Sequence, residues 1–278
     1  MSSILTNHSA MTALSTLRNI NSSLSETQGR ISTGLQIGSG KDNAAYFSIS
    51  KTMSGDSGMF KAIDESLTLQ QNAVSTARLG AETLVDLAQE FTERVAFAQG
   101  GTEEVRADVQ AELDELVARM STTIAQSTFN GTDYVNSTAN VTVVTGISRS
   151  STGSISTTSM TFAQQDLGAI QTALDAIDLT AADSAGAQSA ALQTAEAQLS
   201  AAVSSATSLG IAEKSIETQK EFLGALTDRL DSGIGSMIDA NMEEEAAKLQ
   251  ALQVQQQLAT QSLSIANSAP QNILSLFR

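Results

Sequence analysis

The 278-residue chain contains no cysteine and no tryptophan, and it has a single histidine and a single proline. Without cysteine there is no disulfide framework, no thiolate nucleophile and no cysteine metal site. With His8 alone, metal sites built on two histidines are excluded, and a Ser-His-Asp mechanism would have to run through the N-terminal segment. Aromatic residues make up only 4% of the chain, so any core must be built from Leu, Ile, Val, Met and Ala. Basic charge is scarce too. Against 30 Asp and Glu stand 15 Lys and Arg, giving a net charge of -15 and an isoelectric point near 4.3. Nucleic-acid backbones and anionic membrane surfaces both demand clustered positive charge, so neither is expected as a partner. No apolar run approaches the ~20 residues that span a bilayer. The segment Met1 to His8 also lacks the basic and apolar regions of a cleavable secretory signal. Taken alone, these absences predict a soluble cytoplasmic chain.

The near-absence of proline is itself informative. Proline removes a backbone donor and clashes with the preceding helical turn. A chain whose only proline is Pro270 is free to form long unbroken helices.

What is present is helical spacing. Leu14, Leu17, Asn21, Leu24, Gln28, Ile31 and Leu35 recur in alternating steps of three and four, an a/d seam that Gly34, Gly38 and Gly40 bring to an end. Phe60, Ile63, Leu67, Gln70, Val74, Ala77, Ala81, Leu84, Ala88, Phe91, Val95 and Ala98 keep the same spacing. They predict a helix over about 44–98 that is ~80 Å long at 1.5 Å per residue, and hence an elongated molecule. Gly100-Gly101 ends it. Thr102, followed by Glu103 and Glu104, reads as the N-cap of a third helix striped by Val105, Val109, Leu113, Leu116, Met120 and Ile124.

Between 129 and 165 the period changes. The β-branched runs 141–145 and 155–162 flank a Ser-rich loop with Gly146 and Gly153, which predicts a β-hairpin. Helical spacing returns with Leu167, Ile170, Leu174 and Ile177. A long stripe follows through Leu192, Ala195, Leu199, Ala202, Ala206, Leu209, Ile216, Phe222, Leu223, Leu226 and Leu230. Gly233-Ile234-Gly235 reads as a bend or weak joint. The last helix, over about 237–268, carries two apolar faces. One runs through Met242, Leu249, Leu252, Ala259, Leu263 and Ala266, the other through Val254, Leu258 and Ile265. Two faces require neighbours on both sides. The expected fold is mainly α: an elongated coiled-coil bundle with a small β-hairpin insert and paired N- and C-terminal helices. Its surplus apolar surface predicts self-assembly.

Two segments carry a family resemblance. Residues 31–45, ISTGLQIGSGKDNAA, resemble the N-terminal signature of bacterial flagellins, and residues 266–278, ANSAPQNILSLFR, resemble their C-terminal ending. The resemblance covers about 1–130 and 165–278 and is of a short-insert type resembling the flagellins of some α-proteobacteria. It implies a structural subunit that polymerises into the tubular filament of the bacterial flagellum, with no catalysis and no cofactor. It implies an inner coiled-coil domain from 1–43 and 236–278. It further implies an outer helical domain from 44–235, with the hairpin at about 129–165 and no large separate outer domain. Packing residues implied by the match are Leu14, Leu17, Leu24, Ile31 and Leu35 against Leu249, Leu252, Leu258 and Leu263, with Ile273, Leu274, Leu276, Phe277 and Arg278 completing the tube. Arg30, Lys41 and Asp42 are implied charge contacts. The implied partners are further copies, the flagellar export machinery, a secretion chaperone, and cap and hook-junction proteins. Export through the organelle implies an extracellular location without a cleavable signal.

One departure from the family pattern stands out. Where many flagellins carry Q-R-x-R-E-L-A-x-Q, read by an animal innate receptor, this chain has Glu90, Phe91, Glu93, Arg94 and Val95. A phenyl ring does not replace a guanidinium fork, so recognition is expected to be weak or absent.

Other motifs have ordinary readings. Gly38-Ser39-Gly40-Lys41 lacks the Gly and the Ser or Thr of a phosphate loop, having Leu35 and Asp42 at those positions. Glu243-Glu244-Glu245 reads as a solvated or helix-start charge run rather than a metal site, and His8 as a surface or interface residue. The sequons at Asn130, Asn136 and Asn140 read as chance matches in a Ser/Thr-rich stretch. The resemblance also admits O-glycosylation in 129–160. The competing functions are a hook-filament junction protein and an extended coiled-coil adhesin; the complete PQNILSLFR ending favours the filament subunit.

Overall fold

The computed structural model describes residues 7–150, 153–182 and 184–276, with the side chains of the last helix described through Ser268. In order along the chain come α1 (His8–Thr33), α2 (Ala44–Phe97), α3 (Glu103–Gln126), β1 (Asn140–Arg149), β2 (Ile155–Ala163), α4 (Leu167–Asp175), α5 (Ala185–Ile238) and α6 (Met242–Leu276). The fold is mainly α with one two-stranded antiparallel sheet, as the spacing predicts. Two compact units divide it. One comprises 1–57 with 229–278, the other 58–228, and the dividing points lie within α2 and α5.

The second unit holds the core. On α2, Phe60, Leu67, Val74, Ala81, Ala88 and Val95 form one buried row, and Ala77, Leu84 and Phe91 form another that Ala98 continues just past the helix end. Each row steps by seven, the geometry of a knobs-into-holes seam. On α5, Ala195, Ala202, Leu209, Ile216 and Leu223 keep the same step. Phe222, expected on that stripe, is exposed instead, because a neighbour of Leu223 lies about 100° around the helix from its row. On α3, Val109, Leu113, Leu116, Met120 and Ile124 face inward. The Thr102 hydroxyl accepts from the Val105 amide, and Glu103 and Glu104 occupy the positive end of the helix.

A polar knot closes this core. Arg106 shares the buried face of α3 with Val109 and Leu113, and its guanidinium donates to the carbonyls of Leu179 (3.2 Å) and Gly101 (2.9 Å). The Gln188 side chain accepts from the Gly100 amide and donates to the Ala182 carbonyl, while its backbone carbonyl accepts from the Gln99 side chain. Buried polar groups are tolerated only when paired in this way.

The hairpin pairs Asn140 with Ala163 at one end and Arg149 with Ile155 at the other, with a register shift between Val144 and Gly146. Its base is anchored by Tyr134, whose ring meets Phe162 edge-on at 5.4 Å and whose hydroxyl donates to Gln70. Burial raises the Tyr134 pKa above its ordinary value. The Gln219 side chain donates to the Thr145 carbonyl and ties the sheet to α5.

Two expected helix boundaries differ. The bend or weak joint expected at Gly233-Ile234-Gly235 does not interrupt the helix: α5 runs through to Ile238. Two glycines cost a helix about 1 kcal/mol each. Here Met53 closes over Gly233, with its terminal methyl 3.3 Å from where a Cβ would stand. The last helix starts at Met242 rather than 237 and continues past Pro270 to Leu276. Asn241 sets its start, its side-chain oxygen accepting from the amides of Glu243 and Glu244.

Gly80 and Gly224 are both interior helical glycines in opposite surroundings. A Cβ at Gly80 would lie 1.8 Å from Ser127 Oγ and 2.5 Å from Ser127 Cβ, whereas a Cβ at Gly224 would meet nothing within 4 Å. Gly224→Ala should therefore stabilise the chain by about 0.5–1 kcal/mol. Gly80→Ala should destabilise it by roughly 1–3 kcal/mol through overpacking. Urea unfolding of the two variants measures both signs.

Candidate assembly surface on the first and last helices

The first unit is built differently. Asn7 caps α1, its side-chain oxygen accepting from the Ala10 amide, and Gly34 ends the helix in the left-handed region at φ 73°, its amide donating to the Arg30 carbonyl. Glycine takes that conformation without steric cost. Because the helix stops at Thr33, Leu35 leaves the seam assigned to it and instead forms a backbone bridge with Asp239. The amides of Gln36 and Ile37 donate to the Ile238 carbonyl, and the Ala240 amide to that of Gly34.

Helices α1 and α6 pack antiparallel. Asn7 Nδ2 donates to the Ala266 carbonyl (2.8 Å), Gln256 Nε2 to Asn21 Oδ1 (2.7 Å), and Arg30 Nη1 to Glu245 Oε1 (3.2 Å). Of the packing residues expected from sequence, Leu17, Leu24 and Ile31 on α1 and Leu249, Leu252 and Leu263 on α6 are half-buried on this pair. Leu14 is more exposed. Leu258 does not join the seam. It is 62% exposed and shares its helix side with Val254 and Ile265, which are also exposed. The side chains of Ile273, Leu274, Leu276, Phe277 and Arg278 lie outside the described residues.

The burial pattern of this unit is unusual. Its buried positions among the described residues are Thr27, Ser50, Ser57 and Glu245, all polar, and no apolar side chain is fully buried. Exposed apolar side chains instead include Met11, Tyr46, Ile49, Met242, Val254, Leu258 and Ile265. Charge divides as sharply. The first unit carries 8 acidic against 7 basic residues, and the second 22 against 8. The unit with the bare apolar surface is nearly neutral, so like copies can approach it without strong mutual repulsion.

The receptor-motif positions lie in the second unit. Phe91 and Val95 are completely buried on the α2 seam, Glu90 and Glu93 are exposed, and Arg94 pairs with Glu112 at 3.3 Å. Among the described residues no group of three or more carboxylates or histidines is placed to hold a metal, and no helix is long and apolar enough to cross a membrane.

Sequence reasoning missed Asn7, Thr27 and Glu245. A signal for Glu245 was available: it stands four and seven residues before Leu249 and Leu252, on their face of the helix.

Heptad-paired helices that leave one neutral, apolar helix pair uncovered define a class of subunit that completes its core against like copies. Residues 4–140 match the bacterial flagellin N-terminal helical region, and residues 190–277 match the bacterial flagellin C-terminal helical region. The chain is 38% identical over 282 residues to a flagellin of Brucella melitensis biotype 1, with the whole of both chains covered. It is 34% identical over 281 residues to flagellin FljM of Caulobacter vibrioides, covering 100% of this chain and 99% of that one. It is 31% identical over 322 residues to flagellin C of Rhizobium meliloti, again across the whole of both chains. The chain belongs to the bacterial flagellin family.

The connection between α1 and α2 contains a titratable turn. Asp42 Oδ2 accepts from the Ser39 hydroxyl (3.0 Å) and from the amides of Ser39 (2.9 Å) and Gly38 (3.1 Å). The Ser39 bonds, more than any other cause, hold its pKa below the ordinary aspartate value. A carboxylate with a depressed pKa contributes stability above its unfolded value and loses it as pH falls through the folded one. Relative to the intrinsic rate at each pH, which itself falls with acid, exchange of the Gly38 and Ser39 amides should therefore quicken as the solution is acidified through and below the ordinary aspartate range. In an Asp42→Ala variant it should already be fast at neutral pH. Hydrogen exchange read by NMR checks both.

Proposed function

We propose that this flagellin is a structural subunit that polymerises into the filament of the bacterial flagellum through α1 and α6. The observation that carries this reading is the absence of any fully buried apolar side chain among the described residues of the first unit, set against the exposed stripe Val254, Leu258 and Ile265. Each such side chain removed from water contributes about 1.5–3 kcal/mol before losses. Repeated at every contact along a polymer, that is a sufficient driving force. Leu14, Leu17, Leu24, Ile31, Leu249, Leu252 and Leu263 hold the pair together within one copy, and Leu258 faces the neighbouring copy.

The role is mechanical, with no catalytic step and no cofactor. The finished polymer stands outside the cell. The chain reaches it through the flagellar export machinery, accompanied by a secretion chaperone, and meets cap and hook-junction proteins there. The family match at both ends supports the filament subunit over a hook-filament junction protein or an adhesin.

Electron microscopy after seeding tests the reading. The chain should give long regular filaments, and a chain lacking 265–278 should remain unassembled. Leu258→Asp should raise the critical concentration at least ~10-fold, the equivalent of 1.4 kcal/mol, with little change in the unfolding of the second unit. Discrete oligomers of fixed size from the full chain would instead identify a tether.

The animal innate flagellin receptor should respond weakly or not at all, since Phe91 and Val95 are sequestered in the α2 seam. A receptor-reporter assay with purified chain checks this, and strong activation at nanomolar protein would contradict it.

A further inference from the structure

Proline at position 270 leaves a mark on α6. In an α-helix the amide of residue 270 would bond the carbonyl of residue 266. Pro270 has no N–H, so the Ala266 carbonyl lacks its donor four residues on. That carbonyl is the one that Asn7 reaches, with Nδ2 at 2.8 Å. Asn7 is thereby used twice: its oxygen caps α1 at the Ala10 amide, and its amide group satisfies the carbonyl that proline leaves free.

We infer that Asn7 and Pro270, with the Arg30–Glu245 pair, set the register in which α1 lies against α6. An apolar seam repeated every seven residues specifies register poorly, because a slip of one heptad again places apolar on apolar. Polar groups do not tolerate such a slip. Glu245 is 7% exposed, holds Arg30 through Oε1, and has no partner for Oε2, so moving Arg30 away would leave a buried carboxylate wholly unpaired. At the far end of the pair, a slip would carry Asn7 past the only interior carbonyl of α6 that proline exposes, onto carbonyls already bonded within the helix. Asn21 with Gln256 stands between them. From the first of these rungs to the third, α1 advances 23 residues while α6 retreats 21, so all three describe one antiparallel alignment. Asn7, Arg30 and Glu245 are positioning residues: they act by fixing which copy of each apolar row meets its partner. Their effect on the polymer rests on the flagellin reading, while their effect on register does not.

The experiment is a mutant cycle read as a distance. Asn7→Asp keeps the capping oxygen and loses the donor. Pro270→Ala restores the helical amide and withdraws the docking point. The chain has no native cysteine, so spin labels at Thr16→Cys and Ala247→Cys, both on exposed positions, report the α1–α6 offset. They are read in the soluble full chain and again with labelled copies diluted into unlabelled polymer. The parent background should give one narrow distance. Asn7→Asp, Pro270→Ala and their combination should each add a population displaced by up to ~10 Å, one heptad of rise. The double variant should show no larger displaced fraction than either single. Arg30→Met with Glu245→Leu should enlarge that fraction while keeping the helices paired, and Arg30→Glu with Glu245→Arg should restore the single distance. A single unshifted distance in all variants overturns the inference, as do strictly additive effects of Asn7→Asp and Pro270→Ala. Failure of the parent chain to form filaments overturns the assembly reading and leaves the distance measurement intact in the soluble chain.

Discussion

The constraint on which this structure depends is a shortage of interior. The second unit buries two heptad rows of α2 together with the inward faces of α3, α4 and α5, and ties its loops with Arg106 and Gln188. The first unit has two long helices and no comparable third layer. Its leucines reach only half-burial, and Val254, Leu258 and Ile265 stay in water. An amphipathic helix with apolar residues on two sides is satisfied only by two neighbours. One is supplied by the same chain, and the other must be another molecule. The charge division serves the same end. A copy with 22 acidic residues against 8 basic in its second unit resists nonspecific association there, whereas the nearly neutral first unit offers no such barrier.

Much of this was legible in the sequence because its signal is periodic. The row from Phe60 to Ala98 gave both the extent of α2 and its buried face, and Thr102 with two acidic neighbours gave the start of α3. β-Branched alternation gave both strands. The two faces of α6 were legible for the same reason. The resemblance implies Leu258 on the inner face, but four residues separate it from Val254 and seven from Ile265, and spacing places it with them on the exposed side.

What could not be read was non-local or compensated. Gly233 and Gly235 are helix-weakening by propensity, yet the helix continues, and nothing near them in sequence announces Met53. Pro270 ought to stop α6, and the residue that takes up its unpaired carbonyl is 259 positions from Ala266. Leu35 fits the heptad but lies beyond the left-handed Gly34, where spacing ceases to mean anything. Arg106 and Glu245 both stand at core spacing, which marks them as buried. Their distant partners, Leu179 and Arg30, come from elsewhere in the chain. Periodicity gives faces; pairing across long separations needs three-dimensional information.

The span between Asn7 and Ala266 also orders events in time. Closing a loop costs entropy that grows only slowly with its length, yet a contact across so many residues forms readily only after nearer ones have drawn the ends together. Within the second unit the two strands of the hairpin, and α3 with α4, meet over much shorter intervals, and α2 meets α5 at Arg78 and Glu213 across 135 residues. On this ordering the clasp between α1 and α6 closes after the contacts of the second unit.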